Sequence, residues 1–318
     1  MAHSDSIIDF LLETPDRTLS GEELGRSLGI SRTAIWKNIQ ALQKEGYEIV
    51  VRKGRGYKLK ALTSRPVARE IMRGLSTKIL GRQVKYFGEV ESTNNIAKKL
   101  ARGGAADGTL VIASAQTKGR GRLDRTWESP VGGVFMSIIL RPDIHPSSIT
   151  GLTLLSGLAV VKAVKSLYEL EVGLKWPNDL VINCKKLGGI LSEMEGEAEH
   201  VNFVVVGIGI DANSDVTVDI PSTSINSEIG REVEIIGLVQ EILKEMEGRH
   251  LGFLDDSTAF LDEYKKSCST LGRVVKIQGH SKTLTGRAVD IDSDGALLLQ
   301  MPDGTVEKVL SGDCVHLG

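Results

Sequence analysis

The stretch Gln116-Thr117-Lys118-Gly119-Arg120-Gly121-Arg122-Leu123-Asp124-Arg125-Thr126-Trp127 constrains the rest of the chain most. The apolar run 109–113 precedes it and the β-rich run 134–140 follows, so it reads as a connection between two buried strands. Gly119 and Gly121 let backbone come close to a ligand, and three arginines with one lysine gather positive charge. A guanidinium donates in a rigid fork that matches planar oxyanions, so the loop suits a phosphate or a carboxylate. No G-x-x-x-x-G-K-[ST] is present, and the third spaced glycine of a dinucleotide fingerprint is missing.

A second cluster sharpens the reading. Lys175-Trp176-Pro177-Asn178-Asp179 lies in what reads as one interrupted strand over 174–183, where Pro177 implies an edge or a bulge that aims side chains off the pleat. Lys186-Leu187-Gly188-Gly189-Ile190-Leu191 follows, and its glycines leave strand backbone open for direct hydrogen bonds. An ordinary strand pair around the 183–185 turn explains Leu187 and Ile190, but neither the two lysines nor the Trp-Pro-Asn-Asp run. The run 203–210 is a buried apolar strand that ends in Asp211-Ala212-Asn213.

The amino-terminal part carries a different pattern. Ile7, Ile8, Leu11 and Leu12 have helical spacing, and Ser20-Gly21-Glu22-Glu23 is a capping box that starts a second helix ended by Gly29. Ser31 caps a third helix to about Glu45, with Ala34, Ile35, Ile39 and Leu42 inward and Arg32, Thr33, Lys37 and Asn38 outward. Two short strands around Arg52-Lys53-Gly54-Arg55-Gly56 make a wing. Net charge over the 318 residues is only −2, but across 31–60 eight Lys and Arg stand against two Glu, a surplus of six. Set on a helix and a hairpin tip, that surplus is the footprint of phosphate contacts, with Arg32, Thr33, Lys37, Asn38, Arg52, Lys53 and Arg55 as candidate DNA-binding residues. A winged helix used for protein contacts or dimerisation is the alternative.

No apolar run reaches the roughly 18 residues expected of a spanning helix, and the first residues lack a secretory signal, so no membrane partner is expected. Cys184, Cys268 and Cys314 fit neither a disulfide framework nor a zinc site, which points to a reducing cytoplasm. The run 63–66 reads as a linker, 95–102 as an amphipathic helix, 148–170 as a long core helix, and 233–246 and 254–267 as two closing helices. Residues 272–317 alternate strands with turns at Asp294-Gly295 and Asp303-Gly304, suggesting a small antiparallel barrel.

Taken together, Gly119-Arg120-Gly121-Arg122, Lys175-Trp176-Pro177-Asn178-Asp179 and Lys186-Leu187-Gly188-Gly189-Ile190-Leu191, with Ser92-Thr93-Asn94 upstream, resemble the signature of biotin–protein ligases. The amino-terminal part resembles that of the bifunctional members, which also repress transcription. The resemblance implies an α+β multidomain fold. Its parts are an N-terminal winged helix-turn-helix over 1–62, a central mixed-sheet α/β ligase domain of the class II synthetase/biotin ligase type over 63–269, and a C-terminal SH3-like β-barrel over 270–318. It implies biotin and ATP as substrates with Mg²⁺, biotinyl-adenylate as intermediate, and a lysine of a biotin carboxyl carrier protein as acceptor. It also implies operator DNA as a partner and a homodimer in the adenylate-bound state.

By the same resemblance, Ser92, Thr93, Asn94, Gln116, Gly119, Arg120, Gly121, Arg122, Lys186, Gly188 and Gly189 line the biotin site. A neutral cyclic urea wants short polar partners rather than a charge. Arg122, Trp127, Lys175, Asn178, Lys186 and Asn213 fall to the nucleotide, with Trp127 either stacking near adenine or serving as core. Arg120, Arg122, Asp179 and Lys186 are the implied catalytic residues, and Asp179 is also a candidate for Mg²⁺ or for orienting the amine. The flap is expected to be loose without ligand and to order over the adenylate. The chain departs from several relatives at Leu123 and Asp124, where those carry a basic residue and glycine, and at Asp211, which replaces an asparagine. A ligase whose winged helix does not regulate transcription, a lipoate-type ligase and a ligand-sensing repressor are the alternative readings.

Overall fold

The computed structural model describes residues 2–197, 200–214, 216, 220–255, 258–279 and 282–317. The chain divides into two compact units, Met1–Arg73 and Gly74–Gly318.

The first unit is three helices and a hairpin, followed by a short helix. Helix α1 spans Ala2–Glu13, α2 Gly21–Leu28 and α3 Arg32–Lys44. The Ser20 side chain accepts from the Glu23 amide and the Glu23 side chain accepts from the Ser20 amide, completing the capping box. Gly29 takes the left-handed conformation (φ 67°) that ends α2, and Ser31 accepts from the Ala34 amide to start α3. Ile7, Ile8, Leu24, Ile35, Ile39 and Leu42 are all at most 1% exposed. Each such side chain contributes about 1.5–3 kcal/mol by leaving water. Strands β1 (Glu48–Arg52) and β2 (Gly56–Ala61) pair antiparallel as the wing. The expected linker is tied into this unit: the Thr63 hydroxyl donates to Glu45 O and Arg65 Nη1 to Lys44 O, and the unit runs on through α4 (Ala68–Met72).

The second unit is organised by a mixed sheet. Its elements are β3 (Val84–Val90), α5 (Thr93–Arg102), β4 (Leu110–Gln116), β5 (Val134–Leu140), α6 (Ile149–Tyr168), β6 (Gly173–Lys175), β7 (Asp179–Ile182), β8 (Lys185–Gly196) and β9 (Val201–Ile210). The seven strands lie in the order β3-β4-β5-β9-β8-β7-β6, with β3 parallel to β4 and every other pair antiparallel. On one face α5 packs Ala97 and Ala101 against Val111, Ile139, Phe203 and Val205. The other face is covered by α6, whose Thr153 hydroxyl meets Ser192 and whose Gly157 lies against Leu174 and Ile190.

Two expectations need correcting here. Residues 174–183 are not one interrupted strand: β6 and β7 form a tight hairpin, with Lys175 opposite Asp179 and Trp176, Pro177 and Asn178 at its tip. The Trp176–Pro177 peptide is cis. Among the described residues one helix, Pro146–Tyr168, is long and apolar enough to cross a membrane, contrary to the sequence expectation. It is 67% buried inside the unit and serves as its core helix.

After the sheet come α7 (Ile225–Ile229), α8 (Ile235–Asp255) and α9 (Leu261–Ser267). The expected helix 254–267 is therefore split, and residues 256 and 257 lie outside the described residues. The carboxy-terminal module is a five-stranded antiparallel sheet of β10 (Val274–Gln278), β11 (Thr283–Ile291), β12 (Leu297–Gln300), β13 (Val306–Val309) and β14 (Asp313–His316). It is part of the second compact unit: the buried Trp176 indole donates to Gly295 O at 3.0 Å, and the Trp176 amide donates to Thr270 Oγ1 at 3.0 Å.

Ser20→Ala removes half of the capping box and is expected to cost α2 about 1 kcal/mol. Amide hydrogen exchange along α2 should quicken accordingly, and unchanged protection would contradict the capping account.

Candidate functional site

The odd-numbered residues of β9 share the face on which α5 lies, and at 207 and 209 that face carries no side chain. A Cβ on Gly207 would sit 2.2 Å from Asn94 Oδ1, and one on Gly209 would sit 2.6 Å from Trp127 Nε1. The two glycines thus make room for one side chain from the start of α5 and one from the arginine loop. Beside them opens a cavity of about 610 Å³. It gathers Ser92, Thr93, Asn94, Gln116, Arg120, Gly121, Arg122, Trp127, Lys175, Asn178, Asp179, Lys186 and Gly189, and strand β14 adds Asp313, Cys314 and Val315.

At one end the polar groups are knitted to one another. Asn94 Nδ2 donates to Glu193 Oε2 (2.9 Å) and Leu191 O (3.3 Å), while Asn94 Oδ1 accepts from Ser137 Oγ (2.6 Å). Ser137 Oγ also lies 2.8 Å from Thr93 Oγ1, which donates to Gln116 Oε1 at 3.1 Å. Gln116 Oε1 accepts from the Thr93 amide at 2.8 Å, and Gln116 Nε2 donates to Ser129 Oγ at 2.9 Å. Asn94 and Gln116 therefore brace the wall more than they address its interior. Ser92 is 2% exposed and stands at the N-cap of α5 without a side-chain cap bond.

The arginine loop is an antiparallel arm. Gln116 bridges Ser129, the Trp127 amide donates to Gly119 O (2.9 Å), Arg120 bridges Thr126, and the Gly121 amide donates to Arg125 O (2.7 Å). A Cβ on Gly119 would lie 2.2 Å from Trp127 O, so that glycine serves the arm's own close approach and does not line the cavity. At the tip Leu123 (φ 54°) and Asp124 (φ 56°) are left-handed, which costs a non-glycine residue on the order of 1–3 kcal/mol. Arg125 pairs with Asp313, and Arg122 Nη1 donates to Asn178 Oδ1 (3.0 Å) and Gly312 O (3.3 Å). Burial lowers the Arg122 pKa, and the charges of Asp313 and Asp179 offset part of that. Arg120 Nη1 donates to Glu193 Oε1 at 2.9 Å.

Between these ends, Lys186 Nζ lies 2.8 Å from Asp179 Oδ1 and 5.3 Å from the centre of the Trp127 ring. Trp127 is half-buried on the cavity wall and is not a core residue. Among the described residues no three of His, Cys, Asp and Glu gather as a metal cage. Mg²⁺ bound to a nucleotide takes one or two carboxylates and fills its sphere with phosphate and water oxygens, so Asp179 on the wall fits that mode. The Cys314 thiol is pushed up to about 12 by burial and stays protonated, which leaves it no nucleophilic part.

Besides Gly119, three expected residues fall elsewhere. Asn213 is absent from the cavity wall: its side chain donates to Val233 O (2.9 Å) and accepts from the Val233 amide (2.7 Å), a loop brace. Gly188, within β8, is absent from the cavity wall, and a Cβ on it would meet Gly209 O at 2.6 Å. In the first unit, Arg32, Thr33, Lys37, Arg52, Lys53 and Arg55 are exposed, but Asn38 is not available: it donates to Ala34 O and accepts from Ser4 Oγ at 2.7 Å. Trp36, 49% exposed on the same helix face, was not among the sequence candidates. Ser137 and Glu193 were also missed. A serine inside the run Val-Phe-Met-Ser-Ile-Ile-Leu was the one signal for the first of them.

Comparison with known proteins gives the following. Residues 86–211 match the biotin/lipoate A/B protein ligase family, 4–58 an HTH domain and 270–317 the biotin protein ligase C-terminal domain. The bifunctional ligase/repressor BirA of Bacillus subtilis is 37% identical, over 98% of each chain. Its namesake in Escherichia coli is 31% identical over 92% of this chain and 91% of its own. The biotin protein ligase from Aquifex aeolicus, solved with biotin and ATP, superposes with a TM-score of 0.64 at 28% identity, covering 74% of this chain and 99% of that one.

His316 Nε2 lies 3.0 Å from Thr270 Oγ1, the hydroxyl that accepts from the Trp176 amide. Burial, with the charges of Lys175 and Arg273, lowers its pKa to about 4. An unfolded histidine titrates near 6.5, so below that pH the unfolded chain binds a proton that the folded one refuses. The contribution to stability is present above pH 6.5 and is lost as pH falls toward 4. The thermal midpoint should fall over that window, and His316→Gln should flatten the slope; an identical slope would contradict the assignment.

Proposed function

The chain belongs to the family of bifunctional biotin ligase/repressors, and on that premise we propose that it activates biotin with ATP, transfers it to an acceptor lysine, and represses transcription through its winged helix. The observation that carries the reading is the single cavity in which Arg120, Arg122, Lys175 and Lys186 meet the Ser92-Thr93-Asn94 turn.

In the first step the biotin carboxylate attacks the α-phosphorus of ATP, giving biotinyl-adenylate and pyrophosphate. Ser92 and Thr93, on a wall that Gln116 braces, offer the ureido ring short polar partners at no cost of a buried charge. Arg120 and Lys186 face the carboxylate. Arg122, held by Asn178, and Lys175 face the phosphates, where negative charge concentrates as the bond forms. Trp127 supplies a flat wall beside Lys186 for adenine or the acyl chain. Asp179 would hold Mg²⁺ together with the phosphates, and bound Mg²⁺ neutralises phosphate charge.

In the second step the neutral ε-amine of the acceptor lysine attacks the acyl carbon and AMP leaves. The 2.8 Å ion pair with Lys186 favours an orienting role for Asp179 over that of a strong base. The acceptor is a biotin carboxyl carrier protein, and the adenylate-bound state is a homodimer whose paired wings reach two half-sites of operator DNA. Exposed Arg32, Lys37, Arg52, Lys53 and Arg55 take the phosphates. Residues 1–62, 63–269 and 270–318 serve DNA binding, catalysis and support of the site respectively.

Incubation with biotin, ATP, Mg²⁺ and an acceptor domain is expected to add one biotin mass to a single lysine. No mass gain, or equal gain with lipoate, would overturn the reading. Gly207→Ala, whose Cβ displaces Asn94, is expected to raise the KM for biotin by about tenfold or more. An unchanged KM would remove Asn94 from the site.

The DNA function has its own test. A gel-shift assay on the upstream region of a biotin-synthesis operon should show retardation that strengthens when biotin and ATP are added together. Retardation indifferent to both would separate the winged helix from biotin control.

A further inference from the structure

Glu193 has no part in the chemistry described so far, yet its carboxylate joins Asn94, Lys98 and Arg120. It lies on β8 opposite Val205, on the face that α5 and the cavity share, with its side chain 20% exposed. Oε2 accepts from Asn94 Nδ2 at 2.9 Å, and Oε1 accepts from both Lys98 Nζ and Arg120 Nη1 at 2.9 Å. Arg120 has a further, longer contact with Asn95 Oδ1 at 3.4 Å. Burial raises the Glu193 carboxyl, but the hydrogen bonds from Asn94 and Lys98 and the charges of Lys98 and Arg120 outweigh it, so it stays ionised below the usual carboxylate range.

We propose that Glu193 is a positioning residue of the ligase: it holds the Arg120 guanidinium against the cavity wall beside Asn94, so the arginine arm meets biotin from a preset place. The inference rests on the ligase reading for its effect on catalysis, but the hold on Arg120 does not. Both ends of the grip lie in the site. Asn94 is wedged against Gly207 and fastened to Ser137, so it gives the carboxylate a fixed seat. Arg120 is carried by an arm that meets the rest of the unit at its base, through Trp127 against Gly209, and through the Arg122 and Arg125 contacts at its tip. A guanidinium presents five donors, so Arg120 keeps Glu193 through Nη1 while its remaining N–H groups meet the biotin carboxylate.

Glu193→Gln tests this because it keeps the shape and makes one oxygen a donor. Whichever way the amide turns, a donor then faces either Asn94 or the pair Lys98 and Arg120. The arm carries Lys118, Arg120, Arg122 and Arg125, so trypsin reads its release directly. Cleavage within 118–125 is expected to quicken roughly tenfold, the factor that about 1.4 kcal/mol of lost closed-state stability produces. Glu193→Asp, which keeps the charge, is expected to fall between wild type and Gln, and it carries the test should the Gln variant fold poorly. Cleavage of both variants at the wild-type rate would overturn the proposal.

The kinetic readout is a split and a cycle. The KM for biotin is expected to rise more in Glu193→Gln than the rate of transfer from preformed adenylate falls. In an Arg120→Ala background the same change should add nothing, because its effect runs through Arg120. Additive effects would overturn the positioning role. Absence of adenylate formation by the wild type would instead sink the ligase reading, and the cleavage assay would still decide whether Glu193 holds the arm.

Discussion

Two missing side chains on strand β9 make the site possible. With hydrogen at 207 and 209, the sheet surface has a trough deep enough to admit Asn94 from above and Trp127 from the side. Once Asn94 is seated, its amide can be satisfied only by what stands around the trough: Ser137 from β5, and Leu191 and Glu193 from β8. Thr93 follows, and through it Gln116 and Ser129 at the base of the arginine arm. A space made by glycine is thus converted into a rigid polar wall, because each buried donor has to find an acceptor.

The cations of the cavity are arranged on the same principle. Arg120 rests on Glu193, Lys186 on Asp179, Arg125 on Asp313, and Arg122 on the Asn178 and Gly312 oxygens. These four charges are held in place before any oxyanion enters, so binding needs little reorganisation. That is the condition under which electrostatic stabilisation of a developing charge is most effective. Strand β14 takes part in this order, which explains how a module with no catalytic side chain of its own bears on the site.

Much of this was legible in the sequence wherever the signal is local. The Ser20 capping box, the Ser31 cap, the left-handed Gly29 and the 183–185 turn all depend on neighbours a few residues away, and they form as the sequence implies. The α+β organisation and the sharing of one cavity by Arg120–Arg122 and residues of the Lys175–Lys186 segment were also readable, from motif spacing and from the family resemblance. What stayed hidden depends on partners far along the chain. Glu193 looks like any polar residue of a half-exposed strand until Asn94 and Arg120, some 100 and 70 residues away, are brought to it. Asn38 looks available on a helix face until α1 lays Ser4 against it. Asn213 looks like a ligand at a strand end, but its amide matches the backbone of Val233. Apolar periodicity says which face is buried; it does not say what a polar group will find there.

The central claim is that one cavity, with its cations preset, joins biotin to the α-phosphate of ATP. Stoichiometric pyrophosphate release in the absence of any acceptor measures this most directly. One pyrophosphate per chain is expected in a single burst, dependent on biotin, with the adenylate retained on the protein. Pyrophosphate release without biotin, or none with it, would contradict the account.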